Sequence, residues 1–240
     1  MKQTIYHRRS VRSYSEPPLP EETLQKISSR LTSLTPLIPS IKVHAKIVAR
    51  NQVRCLFPWT PPHLIAIYSE EATGYLENVG FLFQQADLYL QSLGLGSCWI
   101  GMGRMAKEEN IDPSCNDLRF VILLAFGTPK NTPLRISADD FKRHSLSKIS
   151  DWADLRLEPA RLAPSSMNSQ PWYFLHDTDD IIHVYRTQPS RLRSLWPLNR
   201  IDVGIALGQL YVANPERFTF FRVDAPPTYK DGHYTGSLRL

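Results

Sequence analysis

Cysteine is scarce in this chain: Cys55, Cys98 and Cys115 are the three among 240 residues. They are odd in number, far apart, and in none of the paired spacings of zinc sites or disulfide frameworks. Neither a metal nor a disulfide staple is expected, and a reducing, cytoplasmic setting is. Long apolar runs are also missing. The N-terminus, MKQTIYHRRSVRSYSEPP, is charged, so neither a secretory leader nor a membrane span is expected there or later. The seven histidines are scattered without ligand spacing, and no G-x-S-x-G elbow, P-loop or H-E-x-x-H pattern occurs. Stand-alone hydrolytic chemistry therefore has no visible machinery. The formal charge of +5 fits a merely basic surface as well as it fits nucleic acid, anionic lipid or a phosphorylated small molecule.

What is present is enough apolar residue, 42%, to bury a substantial core. Pro20, Glu21 and Glu22 open a helix as its dipole prefers, and Leu24, Ile27, Leu31 and Leu34 continue it at helical spacing, predicting a helix over 20–34. Val43, Ala45, Ile47 and Ala49 alternate as in a strand, and HLIAIY at 63–68 is a second strand. Tyr75, Val79, Leu82, Phe83, Ala86 and Leu90 mark one face of a long helix over 72–93, which Gly94 can end. RFVILLAFG from 119 reads as a buried strand.

The same order then recurs. A helical pattern runs through Leu155, Arg156 and Leu162, WYFLH and DIIHVYR read as strands, a helix covers Ile201 to Ala213, and RFTFFR is a strand. Val79, Gly80 and Gln85 match Val203, Gly204 and Gln209 at a constant offset of 124 (79 to 203). The expectation is an α+β chain of two α-β-β-α-β copies, over 1–130 and 131–223, joined by a basic, turn-rich linker from 127. A C-terminal extension over 224–240 is expected to be either disordered or an arm laid over the other elements.

Three segments could carry chemistry. RRSVR puts Arg8, Arg9, Ser10 and Arg12 together as a competent phosphate clamp, or as a solvated basic end. LAPSSMNSQPWYF crowds Pro164, Ser165, Ser166, Asn168 and Gln170 into a short loop suited to the edge of a polar heterocycle, or to an ordinary helix stop. LGLGSCWIGMG lets backbone approach a ligand closely, with Trp99, Ile100 and Met102 offering apolar area. Two decoys sit in it. Gly101, Gly103 and Ala106 fit G-x-G-x-x-A, yet no acidic residue ends the following strand. GSCW with His233 downstream overlaps a papain-type signature, yet Leu95 stands at its first cysteine and no Asn or Asp follows the histidine.

Jointly, through about Ala213, these segments resemble the FMN-dependent nitroreductase family. The resemblance implies a mixed, mainly antiparallel sheet flanked by helices. It also implies FMN as cofactor, NADH or NADPH as co-substrate, and a small electrophilic acceptor as partner, with no nucleic acid and no membrane. It assigns the flavin phosphate to Arg8, Ser10 and Arg12, with Arg9 beside them, and to Arg143 after the last strand of the module. Pro164, Ser165, Ser166 and Asn168 would contact the ring and ribityl chain with Gln170 nearby, and backbone around Ile100 and Gly101 would face the reactive edge. Trp99, Met102 or the aromatic tail would form a lid.

The order departs from the family, whose P-S-x-x-N loop stands between the arginine motif and the glycine segment. In family homodimers the two halves of each site come from different subunits; here both would come from one chain. The first copy has Pro39 and Ser40 but Val43 in place of the asparagine, and the second has no arginine cluster. The chain thus resembles the single-chain, fused pseudo-dimer subgroup of that family, expected to act as a monomer with one competent site. A flavin-binding scaffold without turnover and an interaction protein that has lost flavin are the rival readings.

Overall fold

A computed structural model describes residues 1–55, 59–106, 117–131, 135–177, 180–187 and 198–240. Cys115 and linker residues 132–134 lie outside the described residues.

Pro20 stands at the start of α1 (Glu21–Leu31), whose first turn carries Glu21 and Glu22 against the positive end of the dipole. β1 (Val43–Ala49), β2 (Val53–Arg54) and β3 (His63–Ser69) follow. α2 (Tyr75–Ser92) is buried over most of its circumference, and Gly94, at φ +78°, ends it as expected. Next come β4 (Gly96–Ile100), β5 (Arg104–Met105) and β6 (Arg119–Gly127). In the second half α3 (Leu146–Ile149) is a single turn, and the helical pattern of 155–162 is a 3-10 turn (Leu155–Leu157) running into α4 (Glu158–Arg161). β7 (Trp172–His176), β8 (Ile182–Arg186), α5 (Leu198–Ala213), β9 (Thr219–Phe221) and β10 (His233–Arg239) complete the chain.

Two four-stranded sheets result, ordered β1-β3-β6-β4 and β7-β8-β10-β9, with every neighbour antiparallel. Two expectations are corrected by this. The glycine-rich segment after α2 is itself an edge strand, β4, so the main sheet of each half has four strands and not three, while β2 and β5 pair apart from it. The tail, expected to be disordered or an arm laid over the other elements, supplies the inner strand β10 of the second sheet. Its pattern was hard to read because a register shift falls between Tyr234 and Gly236. Its buried residues include Thr235 and Ser237, and the Ser237 hydroxyl is satisfied by His183 and Tyr234.

Ile65, Ile67, Ile122, Leu124 and Phe126 of one sheet share an apolar cluster with Phe174, Ile182, Val184 and Leu238 of the other, and with α2 and α5. Those two helices cross at glycines. A Cβ on Gly80 would stand 2.1 Å from the Ile201 carbonyl oxygen, and one on Gly204 would stand 2.0 Å from that of Glu77. Residues 77 and 80 of one helix thus meet 201 and 204 of the other, each number shifted by 124, which is the reciprocal pattern of a two-fold contact. Among the described residues no helix is long and apolar enough to cross a membrane, and no cluster of His, Cys, Asp or Glu could hold a metal.

Candidate functional site

The arginine motif lies extended along β4. Val11 N–H donates to the Ser97 carbonyl at 2.9 Å, Ser10 bridges to Ser97 in parallel, and Gly96 leaves the room that Val11 occupies. Arg8, expected to face a phosphate, instead turns inward. Its Nε lies 2.8 Å from Asp87 Oδ2 with both side chains buried, closing the charge pair without hydrogen-bond alignment. Asp87 also accepts from Ser97 Oγ at 2.5 Å and from Gln84 Nε2 at 3.0 Å. Arg8 therefore anchors the segment, while Arg9 and Arg12 stay exposed.

The loop after α4 is built on strained backbone. Met167, Asn168 and Gln170 have φ of 52°, 56° and 48°, each costing about 1 kcal/mol for a residue with a side chain. Hydrogen bonds hold that shape. Gln170 N–H donates to Ser165 Oγ, Gln170 Oε1 accepts from His144 N–H at 2.8 Å, Asn168 Nδ2 donates to the Lys142 carbonyl, and Arg143 donates to Asn168 Oδ1. Ser166 N–H donates to Asp202 Oδ1 of α5 at 2.9 Å.

Between these segments lies a cleft of about 150 Å³. Ser10 and Arg12 face Pro164, Ser165, Ser166 and Met167 across it, with Cys98, Trp99, Gly101, Ile122, Leu198, Ile201 and Ile205 supplying mostly apolar walls. Asp202 also lines it. Beside it, Arg9, Arg135, Lys142, Arg143 and Asn168, with Ile136 and the single acid Asp140, surround an open, mainly basic hollow of about 600 Å³. Residues 8–12 and 164–168 border both spaces, so a flat apolar ring and an attached anion could be held by one continuous surface.

The electrostatics point the same way. Burial, then the nearby Arg8 and other arginines, lowers Arg135 and Arg143 each to about 10. Crowded cations with lowered proton affinity form a place where an anion relieves repulsion. Burial raises the Cys98 thiol, leaving it an inert wall residue and not a nucleophile. Burial also raises Asp202 to about 8, opposed by its bond from Ser166.

Of the residues expected from sequence, Ser10, Arg12, Gly101, Pro164, Ser165 and Ser166 line the cleft, and Arg9, Arg143 and Asn168 line the basic hollow. Gln170 is a buried brace for the loop, and the Ile100 side chain points into a separate apolar cluster with Leu64 and Leu123. Of the expected lid, Trp99 lines the cleft, whereas Met102 lies at another hollow. Tail residues Tyr229 and Tyr234 pack on Tyr173 and Tyr185. Both decoys fail: β5, not a helix, follows Gly103, and His233 opens β10 in the other sheet from Cys98. Several lining residues went unpredicted, Lys142 of the basic hollow among them. Arg135 donates to the Arg8 carbonyl and stacks over Phe141; its basic linker was visible, its partner was not. Asp202 was detectable as the lone acid in the apolar run IDVGIALGQL.

No curated protein matches the chain. A nitroreductase-type protein of Thermotoga maritima MSB8 has a crystal structure that superposes with a TM-score of 0.64 at 21% identity, over 99% of this chain and 91% of that one. This is a likeness of fold. A nitroreductase family protein of Clostridium difficile 630 matches at 16% identity over 64% of this chain and 97% of its own, with a TM-score of 0.49. An FMN-dependent nitroreductase of Clostridium difficile R20291 matches at 17% over 56% and 91%, with a TM-score of 0.44. A family model described as "Putative TM nitroreductase" matches residues 1–214. With that match over most of its length, the chain belongs to this nitroreductase family.

Proposed function

We propose that this protein is an FMN-binding oxidoreductase that holds one cofactor per chain between residues 8–12 and 164–168. The observation that carries the reading is the junction of a mostly apolar cleft with a hollow lined by Arg9, Arg135, Lys142 and Arg143. An aromatic ring bearing a phosphate matches both parts. When bound, FMN supplies the redox chemistry, taking a hydride from NADH or NADPH and delivering electrons to a small electrophilic acceptor in ping-pong order.

The chain's residues do the positioning. Arg9, Arg135 and Arg143 neutralise the phosphate, and Arg8, matched by Asp87, fixes the segment that presents Ser10 and Arg12. The strained loop aims Ser165 and Ser166 into the cleft, while Trp99, Ile122, Leu198 and Ile205 exclude water from it.

The reciprocal glycine crossing and the matching strand orders support a second part of the reading, that the halves are diverged copies acting as a monomeric pseudo-dimer. In the first half, just ahead of Pro39 and Ser40, Leu37 and Ile38 N–H groups both donate to Asn78 Oδ1, and Ile38 packs onto Gly74. The sequence of the second copy holds no counterpart of RRSVR ahead of its helix. Purified protein should be yellow, carry up to one FMN per chain, and bleach with NADH or NADPH without oxygen. Colourless protein with no FMN affinity, or two FMN per chain, would refute the reading. Bound FMN that stays oxidised would make it a flavin-binding scaffold.

A further inference from the structure

Asp202 stands five residues into a buried helix, with 4% of its surface exposed, and lines the cleft from α5. Its Oδ1 accepts from Ser166 N–H, and its Oδ2 has no partner among the described residues. A buried carboxylate oxygen without a partner is costly, whereas a carboxylic acid in that place holds a hydrogen to donate. The direction of that donation is set by the geometry: with Oδ1 committed to the loop, Oδ2 is the atom left for whatever enters the cleft.

We propose that Asp202 is a ring-binding residue of this site that works as the neutral acid, its Oδ2–H donating a hydrogen bond to an acceptor atom of the bound flavin ring. The proposal rests on the FMN reading above. The halves supply an internal comparison. Position 78, the equivalent of 202 at the helix crossing, holds Asn78, whose Oδ1 likewise accepts loop N–H groups. A protonated Asp202 is the isostere of that amide, with an acceptor toward the loop and a donor away from it.

The groups around Asp202 leave its protonation to burial. Arg12 and Cys98 face the cleft from the N-terminal segment and β4. On its own helix Arg200 is engaged with Glu77 of α2 through two hydrogen bonds of 2.8 and 2.9 Å. The loop from 164 to 168 contributes no titratable side chain. Burial raises the acid to about 8, so it is mostly neutral at pH 7 without a ligand, and a ring that accepts its hydrogen holds it neutral to higher pH.

The test is fluorescence titration of the apoprotein with FMN and, separately, riboflavin, between about pH 7 and about pH 9.5. Wild-type affinity for both should fall about tenfold from about pH 7 to about pH 9. Asp202→Asn keeps the acceptor for Ser166 and an N–H in place of Oδ2–H, so it should bind within about threefold of wild type at pH 7 and lose the pH dependence. Asp202→Ala, checked for folding by circular dichroism, should bind about tenfold more weakly. Cys98→Ser should keep the slope, which excludes the thiol as its source.

Wild-type affinity that is flat or rises with pH overturns the proposal, rising affinity meaning a carboxylate that accepts from the ring. A slope with FMN but not riboflavin, or an Asp202→Asn protein as weak as Asp202→Ala, also overturns it. These outcomes leave FMN binding itself intact. Wild-type protein that binds no flavin at any pH overturns the functional reading and this proposal together.

Discussion

Gly204→Ala tests the crossing on which both halves depend. The added Cβ would meet the Glu77 carbonyl oxygen at 2.0 Å, its carbon at 2.8 Å and its Cα at 2.9 Å. All three are backbone atoms inside a helix, so none can rotate away. An ordinary C···O contact needs about 3.3 Å, and α2 and α5 must therefore separate by more than about 1 Å, opening gaps along an otherwise packed seam. Overpacking costs about 1–3 kcal/mol, and the lost packing takes this case to the upper end, about 3 kcal/mol. That is roughly 150-fold in the folding equilibrium and a fall of about 6–12 °C in Tm for a chain of this size. Gly80→Ala should behave alike, its Cβ meeting the Ile201 oxygen at 2.1 Å. The double variant should cost less than the two singles combined, because helices parted by one alanine already accommodate the other. Gly94→Ala is the control: nothing lies within 4 Å, and only its φ of +78° is strained, for about 1 kcal/mol. Equilibrium urea unfolding and calorimetry measure all four. A Gly204→Ala protein within about 0.5 kcal/mol of wild type, or strict additivity in the double variant, would refute the reasoning.

Arg8→Met leaves Asp87 buried and unpaired, since both partners are at most 1% exposed; unfolding should show a loss of about 3–5 kcal/mol, and adding Asp87→Leu should recover much of it. Arg135→Gln should weaken FMN about tenfold and leave riboflavin affinity unchanged, because Arg135 faces the basic hollow; equal losses for both ligands would move it to the ring. Asp202 also sets a pH dependence of stability in the apoprotein. Its folded pKa of about 8 lies above the ordinary 3.8, so between those values the folded state binds the extra proton. Its contribution is fully present below about pH 4 and is lost by roughly 1 kcal/mol per unit as pH rises toward about 8. Asp202→Asn should flatten that slope in urea unfolding, and an unchanged slope would show that the acid is ionised in the fold.

Legibility followed physical cause. Helices and inner strands with uniform burial, such as HLIAIYS and the face of α2, were readable because apolar periodicity reports burial directly. β4 was hidden because its glycine answers to a neighbour: Gly96 is small to admit Val11, which no local pattern records. β10 was hidden because its buried hydroxyls are matched from other strands, as Ser237 is by His183. In the site, the motif residues were legible as a set, while their division of labour was not. Whether an arginine faces a ligand or a carboxylate is decided by partners distant in sequence, and Asp87 lies 79 residues from Arg8 (87 minus 8).

On the proposed reading, the contrast between crossing and loops explains how one chain can keep a symmetric frame and an asymmetric site. At the crossing a single methyl group meets backbone from the other helix, so change there is penalised in the stability of the whole. At the loops the cost is local. The first-half loop has its N–H groups closed onto Asn78 and Ile38 seated against Gly74, with no left-handed residue, although Asn78 Nδ2 is itself buried without a partner. The second-half loop holds three left-handed residues and leaves Asp202 Oδ2 without a partner. Strain and an unmatched acid persist where something else gains from them. Ligand binding should therefore raise stability through the second-half loop, and hydrogen exchange should show added FMN protecting the Ser166 and Gln170 amides while leaving those of Leu37 and Ile38 unchanged. Equal protection of both loops would contradict a one-sided site.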